Sequence, residues 1–258
     1  MKILFVGDVY AQPGRDILQQ KLRLLQREFA IDFTVVNCEN ATNGRGLSLK
    51  HYKELNALSI DAMTMGNHVF AQAEIFDFIE EKENLIRPEN GHPSWPGYGY
   101  RFFEKNNKRI VVINLLGSAG VTSSVNPFLA FDEIFEKIKE TADIIIVDFH
   151  AEMTSEKIAF GYHVTGRAHV VIGTHTHVQT ADARILDMQT AYITDCGMTG
   201  PLEGVIGVKK EIIIQRFLKN YPARFEVAKG KKQLNAVVIT LDDETGLPTK
   251  IETIHRED

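Results

Sequence analysis

Short apolar runs recur along this chain, and most of them are followed at once by polar residues. Continuous apolar runs of a few residues are typical of strands that lie buried in a parallel sheet. The predicted strands are Lys2–Gly7, Ile31–Asn37, Asp61–Met65, Arg109–Leu115, Asp143–Phe149, Ala168–Gly173 and Thr190–Thr194, then Arg224–Ala228, Asn235–Leu241 and Lys250–Ile254. The last three alternate in polarity, so we expect antiparallel pairing among them.

Stretches with helical periodicity separate the early strands. The predicted helices are Asp16–Phe29, Leu49–Leu58, Glu74–Lys82, Phe131–Glu140 and Lys209–Lys219. The segment Arg87–Tyr100 is rich in Pro, Gly and aromatic residues, which predicts a loop that could border a pocket. The alternation of strands and helices predicts an α/β fold, a largely parallel sheet covered by helices. Because no repeat or clear linker interrupts it, the chain 1–258 is predicted to form a single domain.

Charge and cysteine content narrow the class of function. The formal net charge is −5, which gives no general attraction to nucleic acid, so we expect no binding to a duplex. Two cysteines are too few for a disulfide framework and favour a reducing compartment. The apolar run at the N-terminus is too short for a signal peptide or a transmembrane helix. We therefore expect a cytoplasmic protein that does not associate with membranes.

Side chains of the types that bind metal ions follow five of the predicted strands. The candidate ligands are Asp8, Glu39, Asn40, Asn67, His150, His175 and His177. Ligands of open α/β sheets bind beyond the carboxyl ends of the strands, so these side chains should meet at one edge of the sheet. In an extended segment His175 and His177 would also point the same way, because side chains alternate along a strand.

Each candidate also has an ordinary structural explanation. Asp and Asn favour caps and turns, and a single histidine after an apolar run is most often a satisfied core residue. Their joint occurrence at five strand ends favours a metal site. Seven ligands are too many for one tetrahedral zinc ion and suit two ions that share a carboxylate. Carboxylate, amide and imidazole donors favour Fe, Mn or Zn, and Cys38 should face away from the neighbouring Glu39, into the core.

These motifs, in this order, resemble those of the calcineurin-like metallophosphoesterase superfamily. The matching stretches are GDVY at Gly7–Tyr10, NCEN at Asn37–Asn40, GNH at Gly66–His68, DFHAE at Asp148–Glu152 and GTHTH at Gly173–His177. The stretches ENATNGRGL, TSEKIAFG, THVQTAD, YITDCGMTGP and GVIGV are similar to the bacterial YmdB branch of that superfamily. The resemblance implies a layered fold of sheets covered by helices, with the metal site at the carboxyl ends of the strands.

The resemblance also implies a role for each candidate residue. The first metal would be bound by Asp8, Glu39, Asn40 and His177, and the second by Glu39, Asn67, His150 and His175. Iron is the implied metal, with manganese as a possible replacement, and His68 would be the catalytic proton donor. The chain departs from the wider superfamily at Tyr10, which stands where an Asp-x-His motif has its histidine, and at Glu39, where the bridging ligand is usually Asp.

Further residues are predicted around this site. The candidates to accept hydrogen bonds from metal-binding histidines are Asp148, Glu152, Asp182 and Asp195. The candidates to face a substrate phosphate are Asn43, Arg45 and Arg167, although a solvated position suits each of them as well. The histidines predicted to be structural or exposed are His51, His92, His163, His169 and His255.

The resemblance implies a metal-dependent phosphodiesterase that hydrolyses 2′,3′-cyclic or 3′,5′-cyclic nucleoside monophosphates. The nucleophile would be a hydroxide held between the two metal ions. The residues by themselves indicate only a site for phosphoester hydrolysis. Two alternatives therefore stay open: a general phosphomonoesterase or nucleotidase, and a regulatory protein that binds a nucleotide with little turnover. A small nucleotide or phosphoester is the expected partner, and a homo-oligomer is compatible with the resemblance.

Overall fold

The computed structural model describes residues 1–121 and 123–258, which form two β-sheets and five α-helices. The strands are β1 (Lys2–Val6), β2 (Phe33–Asn37), β3 (Ala62–Thr64), β4 (Leu85–Ile86), β5 (Tyr100–Lys105), β6 (Lys108–Leu116), β7 (Ile144–His150), β8 (Val170–Thr174), β9 (Arg184–Leu186), β10 (Thr190–Ile193), β11 (Gly200–Pro201), β12 (Lys232–Leu241) and β13 (Pro248–Glu257). The helices are α1 (Ala11–Glu28), α2 (Leu49–Asn56), α3 (Pro127–Ile138), α4 (Thr154–Val164) and α5 (Lys210–Lys219). Over these residues, no helix combines the length and the apolar character needed to cross a lipid bilayer.

The strands divide between two mixed sheets, whereas the strand–helix alternation suggested one largely parallel sheet. The first sheet has the order β11-β12-β1-β2-β3-β4, with β13 paired to β12. In it β1 to β4 run parallel, and β12 lies antiparallel to β1. The second sheet has the order β5-β6-β7-β8-β10-β9, with parallel inner strands and antiparallel edge strands. Local alternation of elements does not specify which strands pair, so it cannot distinguish one sheet from two.

The two sheets pack face to face, and helices cover their outer faces. In β1, Ile3 and Phe5 pack with side chains of the second sheet, whereas Leu4 and Val6 pack against α1 and its neighbours. Helices α3 and α4 cover the second sheet in the same way. Because both faces of the inner strands are buried, these strands appear in the sequence as unbroken apolar runs. The α/β class predicted from the sequence is therefore confirmed.

One predicted helix has a different form. The segment Glu74–Lys82 contains two short 3-10 helices, Ala73–Asp77 and Ile79–Glu81. Between them Phe78 has φ −139° and ψ −15°, and its N–H donates to the Ile75 carbonyl. A three-residue spacing of buried side chains fits a 3-10 turn as well as an α-helix, so periodicity could not separate the two.

The predicted strand Arg224–Ala228 is also absent from both sheets. Its backbone makes a single bridge, between Val227 and Val208. The alternation that suggested a strand has another cause, because Phe225 and Val227 line a cavity whereas Arg224 and Glu226 are exposed.

Helix α4 is not predicted from the sequence. Its buried residues include Lys157 and Gly161, types that helical patterning assigns to exposed or irregular positions. Gly161 allows close approach to β10, since a Cβ atom there would lie 2.7 Å from the Tyr192 ring. Helix α4 is therefore stabilised by contacts with distant segments, which the local sequence pattern does not show.

Candidate metal centre

The carboxyl ends of β1, β2, β3, β7 and β8 lie at one end of the paired sheets. The residues that end or follow these strands are the predicted ligands Asp8, Glu39, Asn40, Asn67, His150, His175 and His177. Hydrogen-bond or ion-pair contacts link all seven side chains into one cluster. We call this group the ligand cluster.

Glu39 lies at the centre of the ligand cluster. Its Oε2 atom is 3.3 Å from His150 Nε2 and accepts the backbone N–H of His68 at 3.0 Å. Its Oε1 atom accepts from Asn40 Nδ2 at 3.0 Å, and that nitrogen lies 3.1 Å from His177 Nε2. The two oxygens of the Glu39 carboxylate therefore face two different sets of side chains. Oε2 faces His150, and Oε1 faces Asn40, which in turn contacts His177.

Hydrogen-bond partners outside the cluster fix the protonated nitrogen of two histidines. His177 Nδ1 lies 3.0 Å from the carbonyl oxygen of Ile206, which can only accept, so Nδ1 carries the proton. His175 Nε2 lies 3.0 Å from the Glu152 carboxylate, so Nε2 is the protonated atom. In each neutral ring the other nitrogen keeps its lone pair and faces the cluster.

His150 is held in the same way through a threonine. Its Nδ1 atom is 2.9 Å from Thr174 Oγ1, and that hydroxyl donates to Asp148 Oδ1 at 2.6 Å. Because the hydroxyl has a single proton, it must accept from His150, so Nδ1 is protonated and Nε2 is the atom with a lone pair in the neutral ring. That Nε2 atom lies 3.0 Å from Asn67 Oδ1 and 3.1 Å from His175 Nδ1.

Acceptor atoms consequently converge on one small volume. Around His150 Nε2 lie Glu39 Oε2, Asn67 Oδ1 and His175 Nδ1, and ligand atoms of Glu39, His150 and His175 all lie within 4.8 Å of one another. Buried acceptors facing one another are unfavourable unless a cation lies between them. Carboxylate, amide and imidazole groups are ligands of Fe, Mn and Zn. The residues present therefore fit a metal ion.

The pKa values of His150 and Asp8 are both raised, whereas burial lowers the pKa of His175 to about 3. Burial would lower the pKa of His150, but the Glu39 carboxylate outweighs burial and raises that pKa to about 9. Complete burial raises the pKa of Asp8 to about 6, against the opposing effect of His177. Asp8 Oδ1 also has no hydrogen-bond partner among the described residues. A nearby cation would stabilise the negative charge of a carboxylate oxygen that is buried and has no hydrogen-bond donor.

A buried ion pair supports the segment that carries His175. Lys157 Nζ donates to Asp195 Oδ2 and to the Thr174 carbonyl, both at 2.7 Å, and Lys157 is 1% exposed. The same Asp195 oxygen accepts the N–H of Thr176 at 3.0 Å and its hydroxyl at 2.7 Å. The pair therefore fixes the residues on both sides of His175. Asp195 was predicted to accept from a metal-binding histidine, but its side-chain partners are Lys157, Thr176 and the Gly197 N–H. No local signal in the sequence marks Lys157.

The two histidines of the GTHTH motif do not continue strand β8. The strand ends at Thr174, and His175 and His177 have φ values of +101° and +66°. The expectation that they point the same way along a strand is therefore wrong. They enter the cluster from a loop, where His175 meets His150 and His177 meets Asn40.

Two predicted residues have partners outside the ligand cluster. Asp182 accepts hydrogen bonds from Thr180 and Thr194 and from no metal-site histidine among the described residues. The Arg167 guanidinium donates to Asp132, and it is absent from the lining of the cavity over the cluster. Neither residue takes the role that the sequence suggested.

A cavity of about 800 Å³ opens over the ligand cluster. Its polar lining includes Asn43 and Arg45, which were predicted to face substrate, and His68, whose pKa is lowered by burial. Its apolar lining is supplied by Ile206, Val208, Pro222, Ala223, Phe225 and Val227. The cavity thus joins the ligand cluster to an apolar surface, an arrangement suited to an organic phosphate.

Comparisons with known proteins agree on one family. The sequence model of the family described as YmdB-like protein matches residues 4–254. The 2′,3′-cyclic-nucleotide 2′-phosphodiesterase of Bacillus subtilis (strain 168) is 48% identical over 254 residues, which cover 98% of this chain and 96% of that protein. The crystal structure of a phosphatase from Mycoplasma pneumoniae has a TM-score of 0.94 and 40% identity, covering 100% of this chain and 93% of that chain. A hypothetical protein from Thermus thermophilus has a TM-score of 0.93 and 36% identity, with 100% of both chains covered.

Proposed function

Because this chain belongs to the YmdB-like family, we propose that it hydrolyses 2′,3′-cyclic nucleoside monophosphates at a site for two metal ions. Relatives named as a phosphodiesterase and a phosphatase identify it as a hydrolase of phosphoester bonds. The observation that carries the proposal is the position of Glu39. Each oxygen of its carboxylate faces a different set of candidate ligands, Oε2 toward His150 and Oε1 toward Asn40. Glu39 also lines a cavity that is large enough for a nucleotide.

The two sets of candidate ligands suggest which residues would bind each metal ion. In our proposal one ion is held by Asp8, Glu39, Asn40 and His177, and the other by Glu39, Asn67, His150 and His175. The donors suit iron, with manganese or zinc as alternatives. Two bound ions would polarise the phosphoryl oxygens and supply a nucleophile from water near neutral pH. In this proposal Asn40 fills the place where Tyr10 offers no imidazole, and its Nδ2 atom lies 3.1 Å from His177 Nε2.

His68 is proposed to protonate the leaving oxygen. Its backbone N–H donates to Glu39, which fixes the residue beside the cluster, and its side chain lines the cavity. Burial lowers the pKa of His68, whereas an anionic phosphate beside the ring would favour the protonated form. A positioned general acid typically contributes about 10²–10⁴-fold to the rate.

A phosphomonoesterase acting at the same site is the second candidate. It is favoured by the similarity to the Mycoplasma pneumoniae phosphatase. A substrate panel separates the candidates: 2′,3′-cyclic AMP, 3′,5′-cyclic AMP, 3′-AMP and 5′-AMP, each with Mn²⁺ or Fe²⁺ and with metal content measured in parallel. We expect 2′,3′-cyclic AMP to be converted into 3′-AMP, with little release of inorganic phosphate. Turnover of linear monoesters alone would favour the phosphatase, and tight binding without turnover would indicate a regulatory protein.

The role of His68 has a separate test. His68→Ala should keep the full metal content and lose about 10²–10⁴-fold in kcat, since it removes only the proton donor. His92→Ala is a matched control, because His92 is exposed and hydrogen-bonds Ser94 outside the cavity lining. Wild-type kcat in His68→Ala would exclude this residue as the acid.

The proposal also concerns the cell compartment. Cys38 and Cys196 are buried free thiols, and Cys38 faces the core as predicted. Reduced buried cysteines suit the cytoplasm, where we propose that the enzyme acts. A homo-oligomer stays a prediction that the mass of the protein in solution would test.

A further inference from the structure

One part of the cavity lining is apolar and comes from a single segment of the chain. The segment 203–228 contains α5 and supplies Ile206, Val208, Phe225 and Val227 to the lining. It folds back on itself, because Val208 bridges to Val227 and also to Val205. Phe225 lies two residues before Val227, so the Val208–Val227 bridge restrains the backbone that carries it.

This apolar lining begins directly beside the ligand cluster. The Ile206 carbonyl accepts the proton of His177 Nδ1 at 3.0 Å. The Tyr10 ring meets the His177 ring edge-on at a centroid distance of 5.7 Å, and a Cβ atom at Gly207 would lie 2.6 Å from the Tyr10 ring. A phosphoester held at the cluster consequently has its organic part next to this segment. The cavity volume of about 800 Å³ exceeds what a phosphate group alone requires.

Phe225 offers an exposed aromatic ring in this lining, on which a ligand could stack. Its side chain is 47% exposed, whereas Tyr10, the other aromatic residue of the lining, is 8% exposed. The Arg216 guanidinium lies over the Phe225 ring, 5.1 Å from its centroid. A guanidinium over a ring holds the ring in place and adds positive charge near an anionic ligand.

We propose that Phe225 and Arg216 form the nucleobase subsite of this enzyme, with the base stacked on the Phe225 ring. The inference rests on the proposed function, because it requires a nucleotide at the ligand cluster. Stacking recognises the flat face of a base and not its edge, so every base can be accepted. We therefore expect purines to bind more tightly than pyrimidines, in proportion to ring size, with no strict selection of one base.

The test measures binding and so does not depend on turnover. Calorimetric titrations of the Mn²⁺-loaded full-length protein with 3′-AMP and with inorganic phosphate compare a ligand with a base and one without. Phe225→Ala should weaken 3′-AMP binding by roughly tenfold to a hundredfold, with a much smaller effect on phosphate. Phe225→Trp should keep tight 3′-AMP binding, because it retains an aromatic face.

Phe217→Ala is the matched control on the same segment. Phe217 is 82% exposed, more than Phe225, and it does not line the cavity, so its loss should leave 3′-AMP binding unchanged. Equal weakening of 3′-AMP and phosphate in Phe225→Ala would overturn the subsite, because it would indicate distortion of the cluster. Unchanged 3′-AMP binding in that variant would overturn it as well. Wild-type protein that binds 3′-AMP through Phe225 but does not cleave cyclic nucleotides would refute the proposed activity and leave the subsite standing.

Discussion

Replacing Lys157 with methionine tests whether the buried ion pair holds the histidine loop. Lys157 and Asp195 are 1% and 0% exposed, and their charged atoms are 2.7 Å apart. Methionine fills a similar space but carries no charge, so Asp195 would keep its negative charge in the interior without a cation. The Thr174 carbonyl would also lose its donor.

The loss of unfolding free energy in Lys157→Met depends on the hydrogen bonds that Asp195 keeps. Removing one partner of a buried ion pair costs about 3–5 kcal/mol of unfolding free energy. Asp195 keeps hydrogen bonds from Gly197 N–H and from the N–H and hydroxyl of Thr176, which partly compensate its charge. We therefore expect the lower end of the range, about 3 kcal/mol. For a protein of this size the corresponding drop in Tm is roughly 6–12 °C.

The assay is urea unfolding of metal-free protein, combined with a titration of metal binding. Lys137→Met is the control, because the Lys137 ammonium pairs with Glu133 on an exposed face of α3 and its loss should leave stability nearly unchanged. The double variant Lys157→Met/Asp195→Asn removes both charges and should recover part of the lost stability. In the metal titration, loosening the backbone beside His175 should weaken binding by about 10–100-fold.

Two outcomes would refute this reasoning. A loss below about 1 kcal/mol in Lys157→Met would show that the pair is not a buried structural contact. Strictly additive effects in the double variant would show that the two charges do not interact.

Two further predictions concern the ligand cluster and its surroundings. Gly66→Ala would place a methyl group 2.3 Å from Glu39 Oε2, so the carboxylate must move, and we expect metal content by elemental analysis to fall together with turnover; full metal occupancy would contradict this. Burial opposes ionisation of Asp182, but hydrogen bonds from two threonines outweigh it and lower its pKa. Its stabilisation is thus present above the unfolded pKa of about 3.9 and is lost as pH falls through the lower folded pKa. Asp182→Asn should therefore reduce Tm at neutral pH and leave it nearly unchanged near pH 2, and an equal reduction at both pH values would be inconsistent with this account.

The candidate ligands could be identified because the signal that marks each of them is local in the sequence. Each inner strand appears as an apolar run, and a polar residue marks its carboxyl end. Parallel strands bring their carboxyl ends to the same edge within each sheet, and the packing of the two sheets then places Asp8 of the first sheet beside His150 of the second. What these side chains bind stays a prediction until metal content is measured.

Other features could not be predicted because they depend on contacts between distant segments. Lys157 lies 38 residues from its partner Asp195, and nothing near either residue marks the pair. Helix α4 escapes detection for the same reason, since its buried face is defined by what packs on it. His175 and His177 have positive φ values, which are uncommon for residues other than glycine, so the sequence favoured an extended strand that the loop does not form.

The segment 203–228 links the proposed base subsite to the ligand cluster in one piece of backbone. The Ile206 carbonyl keeps the proton on His177 Nδ1 and so directs the Nε2 lone pair toward Asn40. The same segment supplies Phe225 to the cavity. A base that stacks on Phe225 would therefore also steady the backbone that orients His177. In such an arrangement, binding energy from the nonreacting part of the substrate can improve the geometry at the reacting phosphate. A nucleotide should for this reason be turned over faster at saturation than a small phosphodiester without a base.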